Sequence, residues 1–226
     1  MGKKFELTDK FIINVFGIKL FQIKCTKSFK YAQKGDLGGY VEKEGNLDQE
    51  NDAWVYGDAQ VSGDAQVSGN AQVYGNAQVS GDAQVSGDAQ VSGNARVYGD
   101  ARVSGDAQVS GNARVYGNAQ VSGDARVSGD AQVSGNAWVY GNAQVYGDAN
   151  IKNNNEHCGF DGFGSCNRHT HAYLTKEKKV EITCGCFRGS IEEFEKKVEE
   201  THSGTIYEKQ YKAIINVIKI KFGLTD

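Results

Sequence analysis

From Asp52 to Ile151 the chain repeats a hexapeptide of the form Asp/Asn-Ala-x-Val-Ser/Tyr-Gly, with Ala at seventeen positions from 53 to 149. Two residues after each Ala stands Val, from Val55 to Val145, and Ile151 closes the series. Such strict self-similarity constrains the fold before any local propensity does. A helix wants apolar residues about every 3.6 positions, and Gly in every other turn would cost about 1 kcal/mol each. Helix is excluded. The Ala-x-Val triplet alternates in, out, in, as a short strand does, and the following Ser/Tyr-Gly-Asp/Asn supplies a corner. Three strands and three corners close a triangular coil of 18 residues. Hexapeptide periods of this kind are the signature of parallel β-helices. The seventeen hexads make about 5.7 coils, a prism about 27 Å long at the usual inter-strand spacing.

Stacking at i, i+18 sorts the outward central residues into three rows. One carries Trp54, Gln72, Gln90, Gln108, Arg126 and Gln144. The second carries Gln60, Gln78, Arg96, Arg114 and Gln132, and the third Gln66, Gln84, Arg102, Gln120 and Trp138. Gln rows suit amide ladders between coils, and the corner Asp/Asn series suits Asx-type bonds within each corner. The repeat holds ten Asp, four Arg and no Lys, a net −6. With −3 for the whole chain, the ends together carry +3. This asymmetry divides the chain into an N-terminal β cap (1–51), the β-helix (52–151) and a C-terminal α+β cap (152–226).

Residues 5–30 alternate as short strands turning near Phe16-Gly17. The segment KGDLGGYVEKEGNL (34–47) is Gly-rich but lacks the Gly-Lys-Ser/Thr of a phosphate loop, and reads as a cover for the first coil. Beyond Ile151, HAYLT and VEITCGCF flank KEKK as a hairpin. Ser190 and Glu193 form a capping box opening a helix with Ile191, Phe194 and Val198 on one face, and a second helix runs from about 207 to 221.

KGDLGGYVEKEGNL leading into Trp-Val-Tyr-Gly hexads, then GFGSCNRHT and CGCFRGSIEEFEKKVEETH, resembles a family of phage and prophage hexapeptide-repeat proteins across essentially the whole chain. The resemblance implies a left-handed parallel β-helix between caps and a phage or mobile-element origin. It brings no catalytic residues with it. Left-handed β-helix acyltransferases place His on the coils; this repeat has no His, Cys or long insertion. Ice-binding β-helices use Thr arrays, and no Thr stands between 27 and 169.

His157, Cys158, Cys166, His169, His171, Cys184 and Cys186 fall within thirty residues. Zinc takes such ligands, but no CxxC pair exists and nothing in the spacing sets a base beside a thiol. The reading adopted is buried or incidental thiols, with neither metal nor cofactor. Interruptions of the Gln/Ser monotony are more informative. Arg96 and Arg114 stack by i+18, as do Tyr98 and Tyr116, giving a compact Arg/Tyr square of the residue types enriched at interfaces. Trp54, Tyr56 and Tyr74 make an aromatic group near the first coil, and Trp138 with Tyr140 one near the last. In the C-terminal cap, Ser165, Asn167 and Arg168, joined by Arg188, offer donors for an anion such as phosphate.

These features lead to a non-catalytic binding protein of the bacterial cytoplasm, encoded by a phage or mobile element, that sequesters a small nucleotide-like anion or blocks a host protein. A homo-oligomer through one prism face fits the Arg/Tyr square. The alternatives are a virion-associated rigid spacer and a hexapeptide-transferase-like enzyme. The net charge of −3 offers no field for long nucleic acid, and no apolar run of about 18 residues suits a membrane. The N-terminus MGKKFELTDK carries charge where a signal peptide is apolar.

Overall fold

Seventeen two- or three-residue strands, β4 (Trp54–Val55) to β20 (Asn150–Ile151), start every six residues and form the solenoid. The computed structural model describes residues 2–224. Each strand pairs in parallel with the one three places on, so that Gln72 meets Gln90 and Val73 meets Val91. Three sheets result, one per face of the prism. Every Ala and Val of the repeat points inward and is buried, because the pleat turns residues i and i+2 to one side. Backbone N–H groups reach the next coil at a constant step, as from Gln60 to the Ala77 carbonyl and from Ser62 to the Val79 carbonyl.

Two details of the prism surface differ from the sequence reading. The corner residues bond across coils: Asn76 donates to Asn94, Asn94 to Asn112, and Asn112 to Asp130, at 3.0 to 3.2 Å. The amide ladder therefore runs up a corner, where the side chains project over one another. The Gln side chains of the faces instead accept from Tyr hydroxyls, Tyr74 to Gln90 and Tyr116 to Gln132. Tyr reaches diagonally across one coil, and its rigid ring delivers the hydroxyl at lower entropic cost than a second mobile amide.

The N-terminal hairpin, β1 (Phe5–Ile13) and β2 (Lys19–Cys25), turns at Gly17 and extends the same sheet as β3 (Leu37–Val41), which pairs in parallel with Gln60–Val61. Gly38 and Gly39 lie so close to the next coil that a Cβ would come within 2.6 Å of the Val55 carbonyl and 2.7 Å of the Ala59 carbonyl. Those glycines serve close packing. Phe5 and Phe29 close edge-on over Trp54, which is buried rather than part of an exposed aromatic group. Lys4 is buried too, its ammonium donating to the carbonyls of Asn51 and Ala53, and burial lowers its pKa to about 8.

At the far end a four-stranded antiparallel sheet, β21 (His157–Phe163), β22 (Arg168–Leu174), β23 (Val180–Cys184) and β24 (Phe187–Gly189), lies against the last coil. Helices α1 (Ile191–His202) and α2 (Ile206–Lys221) cover its other face. Ser190 caps α1 through the reciprocal bonds with Glu193. The unit satisfies the open edge of the solenoid with side chains. Asn154 Oδ1 accepts from Trp138 N–H at 2.8 Å, Thr183 Oγ1 donates to the Gln144 carbonyl at 3.0 Å, and the Tyr173 hydroxyl accepts from Tyr146 N–H at 3.3 Å. No helix of the described residues is long and apolar enough to cross a membrane.

Candidate functional site

The sequence RHTHAYL (168–174) alternates as a strand must. Thr170 and Ala172 face the helices, while His169, His171 and Tyr173 face the solenoid. On the neighbouring β21, the same period sets His157, Gly159 and Asp161 on the solenoid side. Register then brings the three imidazoles together, with His157 and His169 each centred less than 6 Å from His171. Between this face and the last coil lies a cavity of about 340 Å³, walled opposite by Trp138 and Tyr140.

The aromatic wall is anchored. The Trp138 indole N–H donates to Ser122 Oγ one coil below, at 3.2 Å, and its ring lies 5.0 Å from that of Tyr140. Both rings are half exposed. On the imidazole wall, His157 Nδ1 and His171 Nε2 stand 3.0 Å apart and share one proton. Burial lowers the pKa of His157 to about 4, with Lys221 adding to the effect, and lowers that of His171 to about 3, with His157 and His169 adding. Both rings are neutral at pH 7. His169 differs: its Nδ1–H donates to Asp161 Oδ1 at 2.7 Å, so Nε2 carries the lone pair. That Nε2 is buried and has no hydrogen-bond partner. Gly159 makes room for the ring, since a Cβ there would lie 2.6 Å from His169 Cε1.

A carboxylate-oriented imidazole with a free Nε2 has the form of a general base. The one cysteine at the cavity among the described residues is Cys158. Cys158 alternates to the helix side of the sheet, and burial pushes its thiol up to about 11. No three His, Cys, Asp or Glu among the described residues are grouped so as to hold a metal ion. Cys184 and Cys186 do not share a strand face: Gly185 turns the chain at φ +60°, leaving Cys184 buried and Cys186 exposed.

Arg96 pairs in register with Arg114, and Tyr98 with Tyr116, whose rings stack at 5.0 Å with 2° between planes. The two Arg are exposed and the two Tyr half-buried. In the C-terminal unit, Ser165 and Arg168 line a separate cavity of about 280 Å³ on the helix side, with Lys197, His202 and Cys166. Asn167 takes φ +47° in the turn beside them. Arg188 is elsewhere. Its guanidinium forks onto Glu181 at 2.6 and 3.1 Å, Glu181 accepts from the Tyr173 hydroxyl, and the Arg side chain packs over Gly147 of the last coil. The structure therefore brings together the Arg/Tyr square, and Ser165 with Arg168, but separates Arg188 from both.

Trp138, Tyr140, Asp161 and the imidazole of His169 were not joined as a site by sequence reasoning. His169-x-His171 on a strand was the available signal, since period 2 sets both on one face. The approach of Trp138 from the solenoid had no signal in spacing.

Compared with known proteins, the repeat matches the family model described as YdcK Beta solenoid repeat, in overlapping stretches at 59–75, 65–81, 71–87, 89–105, 107–120, 119–132 and 131–147. The likeness covers the solenoid and neither end unit. No curated protein matches the chain.

Proposed function

We propose that this is a non-catalytic binding protein, encoded by a phage or mobile element and acting in the bacterial cytoplasm, that sequesters a small molecule where the solenoid meets its C-terminal unit. The observation that carries the reading is the buried, unpartnered His169 Nε2 in a cavity whose other wall is two exposed aromatic rings. A buried acceptor without a partner costs about 1–3 kcal/mol, and a bound donor removes that cost. Absence of a reactive thiol beside the His169–Asp161 pair favours holding a ligand over transforming it. The solenoid contributes rigidity: it sets Trp138 and Tyr140 before the ligand arrives, which lowers the ordering cost of binding.

A second reading is favoured by a different feature. Arg96 and Arg114 stand in register on adjacent coils, two exposed like charges beside a stacked Tyr pair. A partner's carboxylates, from a host protein or a second copy, would relieve that repulsion. Native mass spectrometry of the protein purified from bacterial cells separates the two. A monomer carrying a stoichiometric small molecule supports sequestration. An oligomer or a host-protein complex dispersed by Arg96→Gln with Arg114→Gln supports the prism face. A bare monomer, with nothing recovered from the lysate, overturns both in favour of a rigid spacer.

A further inference from the structure

We infer that the junction cavity takes a flat, non-anionic heteroaromatic molecule presenting an N–H donor, a nucleobase ring being the type. Its ring lies against Trp138 and Tyr140, and its donor meets His169 Nε2. The inference rests on the sequestration reading above and names the chemistry of what is sequestered.

The donor requirement follows from one atom. Asp161 Oδ1 accepts from His169 Nδ1–H at 2.7 Å, and in that tautomer Nε2 is the ring's acceptor. The side chain is 9 % exposed, and Nε2 lacks any protein partner. Deeper in that wall, His157 bonds to His171 and Asn154 Oδ1 accepts from the Trp138 amide. His169 Nε2 is the buried acceptor left to meet a donor.

Flatness follows from the opposite wall. The Trp138 indole is held by Ser122, and Tyr140 lies 5.0 Å away at 43°, leaving half of each ring exposed. Such faces stack any aromatic ring with little regard to its sequence of atoms. Charge follows from Asp161, whose carboxylate borders the cavity and repels an anion. A metal ion is the competing occupant of an imidazole cluster. Here His157 Nδ1 and His171 Nε2 face one another, and among the described residues no three His, Cys, Asp or Glu are grouped to hold one.

The test is calorimetric titration with 9-methyladenine, 9-methylguanine and 1-methylcytosine, which carry N–H donors, and with 6-dimethylamino-9-methylpurine, which carries none. At least one donor-bearing base should bind and quench Trp138 fluorescence, while Trp54, buried at the other end, remains unaffected. The donorless purine should bind about tenfold more weakly or worse. His169→Leu should lose a similar factor; if that variant fails to fold, Trp138→Leu, a change at a half-exposed position, should also weaken binding. Equal binding of donor-bearing and donorless purines overturns the inference. Retention from cells of a molecule that is anionic or not aromatic overturns it but leaves sequestration standing. No binding by any base and no retained molecule overturns both. Stoichiometric zinc, removed by EDTA with a change in Trp138 fluorescence, replaces the inference with a metal site.

Discussion

Gly105 and Gly141 stand in one corner column, two coils apart, both in the left-handed region at φ +68° and +63°. A Cβ on Gly105 would come within 2.9 Å of the Gly123 amide nitrogen in the next coil, whereas one on Gly141 would meet nothing within 4 Å. The pair therefore separates backbone strain from crowding. Gly141→Ala is expected to lose about 1–2 kcal/mol, the cost of an L-residue in that region. Gly105→Ala should lose a further 1–3 kcal/mol or so, because backbone cannot move aside as a side chain can. Urea unfolding of the two variants checks this, and equal losses would mean that the corner column spreads freely. The repeat spells out a Gly at each corner, so the requirement was legible in the sequence; the release at Gly141 was not, because it depends on where the stack stops.

The four-stranded sheet at the end of the solenoid places two neutral imidazoles in its buried interface. Burial holds His157 at about 4, against an ordinary value near 6.5, and His171 lower still. The unfolded chain thus binds protons that the folded one refuses. Stability should be full above pH 6.5 and fall as pH drops toward 4, where His157 itself becomes protonated in the fold. His157 alone should cost about 2 kcal/mol between pH 7 and pH 5. Urea midpoints at those two pH values measure it, with His157→Gln as the comparison. If the variant loses as much stability over that window as the wild type, the interface imidazoles are not the acid-labile element. The partly buried carboxylates with lowered pKa, such as Asp48 and Glu156, lose their contribution as pH falls below this window. The hairpin and both helices were legible from alternation and the Ser190–Glu193 capping box. Which face of the sheet meets the solenoid was not, since His169, His171 and Tyr173 are as polar as the Thr170–Ala172 side is small.

Strands of one coil pair with those of the neighbouring coils, and each end unit packs on the coils beside it. Length should then be adjustable in steps of the repeat. Deleting 83–100 removes one coil and keeps every Ala and Val in phase, so the product should fold and melt within a few degrees of the parent. Deleting 83–88 also keeps the phase and turns the two end units by one face relative to each other, so it too should fold. Deleting 83–85 puts polar residues inside and should give no cooperative transition. Circular dichroism melting of the three deletions decides the matter, and a folded three-residue deletion would remove the hexad as the structural unit. The Arg/Tyr square is lost from the 83–100 deletion while the junction cavity is untouched. The same protein therefore tells which of the two proposed surfaces carries binding.

The solenoid, its coil length and the pairing of Arg96 with Arg114 were determined by the sequence alone, because a strict period turns sequence distance into spatial distance. The same arithmetic placed Trp54 and Trp138 in comparable outward rows. Only the tertiary structure decided that Phe5 and Phe29 bury the first while the second keeps half its surface and walls a cavity. It likewise decided that Arg188 ties Glu181 and Tyr173 to the last coil instead of joining Ser165 and Arg168. The physical reason is common to these cases. A repeat specifies contacts at a fixed separation, but the end units fold back by non-repeating contacts, from Lys4 to Ala53 or from Asn154 to Trp138, whose partners no period announces.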